Sequence, residues 1–117
     1  MPVERDPNYE MPMTESEFNL LVDELLTETE TRIEDNAEDI DFDTVSDILT
    51  LSFENGSKII INKQLAALQV WVAAKSGGFH LSYLNGQWVT DNDEGIEYFN
   101  LLEKLCSQQA NRTVTLS

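Results

Sequence analysis

Short, turn-forming breaks constrain the fold of this chain more than any other feature. Between residues 40 and 90 the apolar positions recur with a period of two, the spacing of a half-buried strand. Asn55-Gly56 separates residues 48–53 from residues 58–62, and a two-residue Asn-Gly link is a strong hairpin signal. Ser76-Gly77-Gly78 separates residues 69–74 from residues 79–83, and Asn85-Gly86 introduces a last short strand over residues 87–90. A parallel crossover needs about a dozen residues or more, so links this short force neighbouring strands to be antiparallel. The middle of the chain is therefore expected to be a sheet of five or six antiparallel strands.

Helices are expected on either side of it. Residues 1–13 contain all three prolines and show no periodicity, so they read as a flexible leader. Thr14 with Glu17 three residues on has the form of a capping box, and Met13 with Phe18 the spacing of a hydrophobic staple. Phe18, Leu21, Val22, Leu25, Thr29 and Ile33 then follow at helical spacing to about Asp35. A second helix is expected from about Glu94 to Gln109, with Ile96, Phe99, Leu101 or Leu102, Leu105 and Cys106 on one face. Residues 111–117 are polar and read as a frayed tail. The expected fold is α+β: a single domain over residues 14–110, a two-layer sandwich with two terminal helices on one face of the sheet and the other face open.

Charge singles out one part of this fold. The 117 residues carry 22 acidic and 7 basic side chains, a net charge of −15. Residues 1–47 hold 16 of the acidic and 2 of the basic side chains, so nearly all of the imbalance lies there. A chain of this charge has nothing with which to release counterions from nucleic acid or to settle on an anionic membrane. On a helical wheel Glu24, Glu28 and Asp35 lie along one flank of the apolar stripe, and Asp23, Glu30 and Glu34 along the other. Glu38, Asp39, Asp41, Asp43 and Asp47 extend the negative field, and an extended chain over residues 39–43 would point its three aspartates the same way. Oxygen ligands alone suit hard cations. The Asp39-x-Asp41-x-Asp43 spacing resembles the start of an EF-hand loop, but Thr44 stands at the glycine position and Thr50 at the closing glutamate. Any binding is expected to be weak and of low metal specificity.

A second constellation lies on the sheet. Alternation in Gln69-Val70-Trp71-Val72-Ala73 turns the valines toward the helices and leaves Trp71 on the open face, where His80 of the next strand can join it. An exposed tryptophan ringed by amide side chains suits protein recognition. Nothing supports catalysis: Cys106 falls on the apolar stripe of the second helix, and no phosphate loop, nucleophile elbow or histidine-rich metal motif is present. One cysteine cannot form an internal disulfide, and with no apolar span and no signal segment the expected location is cytoplasmic.

The stretches FENGSKIIINKQ, QVWVAAKSGGFHLSY, NGQWV and FNLLEKL, with SEF and DIDFD before them, resemble the frataxin family in its short bacterial CyaY type over about residues 14–109. The resemblance implies a non-enzymatic protein of iron–sulfur cluster assembly. It implies weak binding of Fe2+ and Fe3+, with other divalent cations as alternatives, on a ridge formed by Glu30, Glu34, Asp35, Glu38, Asp39, Asp41 and Asp43. It further implies docking on the cysteine desulfurase and scaffold complex through Glu34, Asp35, Asp39 and Asp41 together with Asn62, Lys63, Gln64 and Trp71. A monomer that can oligomerise with iron is the expected state. The alternative is an electrostatic protein-interaction module that regulates the desulfurase and binds metal incidentally. Thr31 stands where the family often has an acid, the loop after the first helix is about two residues shorter than in close bacterial relatives, and Ala66 replaces a usual proline.

Overall fold

The computed structural model describes residues 13–117; the expected leader falls almost entirely outside them. Helix α1 runs Glu15–Asn36. Its start is fixed by a complete capping box: the Glu17 N–H donates to Thr14 Oγ1 at 3.1 Å, and the Thr14 N–H donates to Glu17 Oε1 at 3.2 Å. Six strands follow: β1 (Asp41–Val45), β2 (Ile48–Ser52), β3 (Lys58–Gln64), β4 (Gln69–Ala74), β5 (Gly77–Leu84) and β6 (Gln87–Thr90). They pair in chain order, every pair antiparallel, as the short links require. Helix α2 (Tyr98–Ala110) closes the fold.

One face of the sheet and the apolar stripes of both helices make the core. Leu49, Leu51, Ile59, Ile61, Val70, Val72 and Leu81 alternate inward from the strands to meet Phe18, Val22, Leu26 and Ile33 of α1 and Leu101, Leu102, Leu105 and Cys106 of α2. Trp88 joins them, with its ring edge-on to Phe18 and to Tyr83. Two terminal helices on one face of a six-stranded antiparallel sheet is the expected architecture.

The differences are local and have identifiable causes. The Asn55-Gly56 link is not a two-residue hairpin; the strands stop at Ser52 and restart at Lys58, and the Phe53 N–H donates to the Ser57 carbonyl at 2.9 Å. The next turn is Lys75–Ser76, so both following glycines belong to β5. Helix α2 starts at Tyr98 rather than near Glu94. Asn92 Oδ1 accepts from the Thr90 hydroxyl and from the Glu94 and Gly95 N–H groups, which holds residues 90–96 in a loop. Glu97 then caps the helix through the Phe99 and Asn100 N–H groups.

The tail does not fray. Val114 and Leu116 are buried against the helices, and removing side chains of this size from water contributes about 1.5–3 kcal/mol each. The Val114 N–H donates to Ser107 Oγ at 2.9 Å, the Leu116 N–H to Glu103 Oε2 at 2.7 Å, and Arg32 Nη1 to the Leu116 carbonyl at 3.0 Å. Residues 112–117 thus form a strap across both helices. The polarity of the segment hid two apolar positions at strand spacing.

Candidate functional site

The C-terminal half of α1 and the first strand assemble a carboxylate edge. Glu34 and Asp35 lie exposed in the last turn of α1, where no basic residue accompanies them. The negative end of the helix macrodipole is there too, so these charges oppose it. A three-residue link after the cap Ala37 turns Glu38 and Asp39 outward while Ile40 enters the core. Glu34, Glu38 and Asp41 line a shallow recess of about 420 Å3 whose apolar wall is Ile40 and Phe42.

The other members of the expected ridge divide differently. Asp39 lies in the turn before β1, so the three aspartates of residues 39–43 do not form one row; the strand begins only at Asp41. Its carboxylate is paired with the Arg112 guanidinium of the strap. Asp41 and Asp43 alternate with Phe42, which packs on the core, and so turn toward the open sheet face. Glu30 accepts a hydrogen bond from the Thr44 hydroxyl, which locks the edge strand to α1. Among the described residues, Glu34, Asp35, Glu38, Asp41 and Asp43 have no ion-pair partner. No group of three or more such side chains among the described residues is arranged to hold a metal ion.

Around Trp71 the open face is more ordered than an exposed side chain alone would be. Register places Val45, Ile48, Asn62, Trp71 and His80 in one row across five strands. The Trp71 ring stacks on His80 at a centroid distance of 4.3 Å and an interplanar angle of 16°. Its Nε1–H donates to Gln69 Oε1 at 3.0 Å, and Gln69 Nε2 in turn donates to Ser82 Oγ and Asp91 Oδ2 at 3.2 and 3.4 Å. A small recess of about 190 Å3 beside it is lined by Ile60, Asn62, Trp71, Phe79 and His80.

Lys63 does not belong to this surface. Neighbouring strand residues face opposite ways, and Lys63 turns to the helix side, where Nζ reaches Asn19 Oδ1 and Asp47 Oδ2, both at 3.0 Å. Asn62 shares the face with Trp71, and Gln64 pairs with Gln69 one row away. Ala66 lies in a single 3-10 turn, Leu65–Ala67, which ends on Leu68 at a positive φ of 52°.

A family model described as a frataxin-like domain matches residues 11–112, nearly the whole chain. The chain belongs to the frataxin family. It is of the bacterial CyaY type: the iron-sulfur cluster assembly protein CyaY of Pseudoalteromonas atlantica is 43% identical over 103 residues, which cover 88% of this chain and 94% of that one. The protein of that name from Vibrio cholerae is 38% identical over 102 residues, 87% of this chain and 97% of that one. Among solved structures, frataxin from Psychromonas ingrahamii superposes with a TM-score of 0.82 at 39% identity, covering 90% of this chain and 99% of that one. Trimeric frataxin from Saccharomyces cerevisiae complexed with ferrous ion superposes with a TM-score of 0.63 at 25% identity, over 90% and 93% of the two chains.

Three features of this frataxin escaped the reading of its sequence. Arg112 is the one basic residue after Lys104, and its place opposite an acidic turn was hidden by the assumption that the tail was loose. Gln69 and Asp91 fix the Trp71–His80 stack, a role that strand register alone could have suggested for Gln69. Gln109 is buried and joins α2 to both hairpin ends, accepting from the Lys75 N–H and donating to Ser57 Oγ and the Lys58 carbonyl. The thiol of Cys106 lies in the core, where burial pushes its pKa up to about 12. A thiol so protonated is a poor nucleophile. Among the described residues no helix is long and apolar enough to cross a membrane.

Proposed function

We propose that this frataxin takes part in iron–sulfur cluster assembly by collecting Fe2+ or Fe3+ weakly on its carboxylate edge and by docking on the cysteine desulfurase and scaffold proteins. The observation that carries the reading is the set of carboxylates Glu34, Asp35, Glu38, Asp41 and Asp43, which have no ion-pair partner among the described residues, at one end of the sandwich, in a family whose bacterial relatives are named for that pathway. Oxygen donors suit iron as a hard cation, and mutual repulsion gives the edge a standing attraction for positive charge. Iron is here a cargo met by side chains that must rearrange to hold it, in keeping with weak binding. Asp41 and Asp43 also turn toward the open face that carries Asn62 and Trp71, so a basic partner could span the charged edge and the aromatic row together.

Calorimetric titrations with Fe2+ under anoxic conditions, and separately with the desulfurase, test this. Replacing Glu34, Asp35, Asp39 and Asp41 by lysine should abolish both interactions. Trp71→Ala should weaken desulfurase binding by at least tenfold, leave iron binding intact and lower the melting temperature little. Unchanged desulfurase affinity in the lysine variant defeats the shared-edge reading. A second reading is favoured by the lack of three converging metal ligands among the described residues: the edge serves protein docking, and metal binding is incidental. It gains if a variant that loses iron binding still regulates the desulfurase.

A further inference from the structure

The C-terminal strap engages two arginines, one on the acidic helix and one of its own. Arg32 on α1 pairs with Glu28 at 2.9 Å, lies 3.8 Å over the Phe99 ring and donates from Nη1 to the Leu116 carbonyl at 3.0 Å. Arg112 is itself part of the strap. Its Nε and Nη2 address the two carboxylate oxygens of Asp39, the Nε contact at 3.3 Å, and its N–H donates to the Ser107 carbonyl at 3.3 Å. The two-pronged contact depends on where the strap lies, because the burial of Val114 and Leu116 fixes the backbone from which Arg112 reaches out. Asp39 is thereby set apart from its neighbours Glu34, Asp35 and Glu38, which have no cation of their own among the described residues.

We infer that the C-terminal strap is a built-in counter-ion that withholds Asp39 from external cations, so that Arg112 sets how strongly the acidic edge binds them. The inference rests on the proposed role of that edge. The Asp39 and Arg112 side chains are 40% and 41% exposed. A pair so exposed is weak enough for another cation to displace: such pairs contribute about 0.2–1 kcal/mol, which corresponds to roughly a 1.4- to 5-fold effect on affinity. Coupling between two sites is reciprocal. A cation that takes Asp39 must therefore loosen the strap by the same factor by which the strap weakens the cation.

The test compares wild type, Arg112→Gln and Lys104→Gln in the full-length chain. Lys104 is exposed on α2 and has no ion pair among the described residues, so its loss changes net charge equally without touching Asp39. Fe2+ affinity is measured anoxically by calorimetry, and hydrogen exchange of the Val114 and Leu116 amides is followed with and without Fe2+. Arg112→Gln should bind Fe2+ about 1.4- to 5-fold more tightly than Lys104→Gln. Fe2+ should speed exchange of the two strap amides in wild type and leave it unchanged in Arg112→Gln. Equal affinity in the two variants, or strap exchange indifferent to Fe2+ in wild type, overturns the inference and leaves the iron-binding edge standing. Binding by Arg112→Gln but not by wild type supports the inference and counts against iron collection by the native protein. Binding by none of the three overturns both.

Discussion

Thr29 occupies a position in the α1 stripe that an aliphatic residue would fill, and its hydroxyl joins the two helices. Thr29 Oγ1 donates its single proton to the Leu25 carbonyl at 2.7 Å. The Tyr98 hydroxyl, 2.9 Å away, must then be the donor in the contact between them. Thr29→Val should therefore cost about 1–3 kcal/mol, because it strands a buried donor on Tyr98. The double variant with Tyr98→Phe should lose less than the sum of the two single changes, with a coupling of about 0.5–3 kcal/mol in denaturant titrations; strict additivity would contradict the assignment. Cys106 and Tyr98 also set an alkaline limit to stability. Burial raises both pKa values, that of Cys106 to about 12 and that of Tyr98 above the ordinary phenol range. An unfolded chain begins to lose these protons near pH 8.5 and near pH 10 respectively, whereas the native state keeps them. The native state then binds more protons, so stability falls as pH rises above about 8.5. Cys106→Ala should flatten the first part of that fall, measured by urea unfolding at about pH 7 and about pH 9.5, and a wild-type curve level over that range would refute the argument.

At the scale of elements, the turns differ in how openly the residues declare them. Asn85 and Gly86 both take positive φ, 50° and 80°, as an Asn-Gly hairpin turn does. Ser46 and Asp47 adopt nearly the same geometry, φ 51° and 65°, between β1 and β2. No glycine or asparagine marks that turn, so the first hairpin was not legible as a turn. Asp47 is fixed there by its pair with Lys63 at 3.0 Å, while no hydrogen bond holds the Ser46 side chain among the described residues. Ser46→Gly should consequently raise stability by up to about 1 kcal/mol, because relief of the roughly 1–2 kcal/mol penalty of a left-handed L-residue outweighs the roughly 0.5–1 kcal/mol that glycine costs in chain entropy. A drop in melting temperature would show that the turn is not strained. The family resemblance, not helical spacing, implied that Glu30, Glu34 and Asp35 belong to one ridge: the helical wheel sets Asp35 on the flank opposite Glu30 and Glu34, and only the presence of these charges on α1 was legible in the spacing. Which carboxylates remain unpaired was not, since that depends on the strap, on the turn before β1 and on the parity that sends Asp41 and Asp43 to the open face. Parity also decided Lys63: once Trp71 faces outward and pairs with Asn62, the next residue must face the helices.

For the whole molecule the governing quantity is the net charge of −15, which opposes compaction through self-repulsion. Among the described residues the three lysine and arginine ion pairs all use acids from the first 47 positions, namely Glu28, Asp39 and Asp47, and many other described acids of that stretch have no ion-pair partner. At about 0.15 M ionic strength the screening length is roughly 8 Å, comparable to the spacing between neighbouring carboxylates on one helix flank. Sodium chloride should accordingly raise the melting temperature over this range. A divalent cation does more than screen if it bridges carboxylates, because binding to the native state alone adds stability by mass action. Mg2+ or Mn2+ should thus raise the melting temperature beyond sodium chloride of equal ionic strength, and that excess should vanish in the variant with Glu34, Asp35, Asp39 and Asp41 replaced by lysine. Equal shifts for the two salts in wild type would reduce the edge to a diffuse field without bridging sites. A flat response to both would show that the repulsion inferred from −15 is already relieved within the fold.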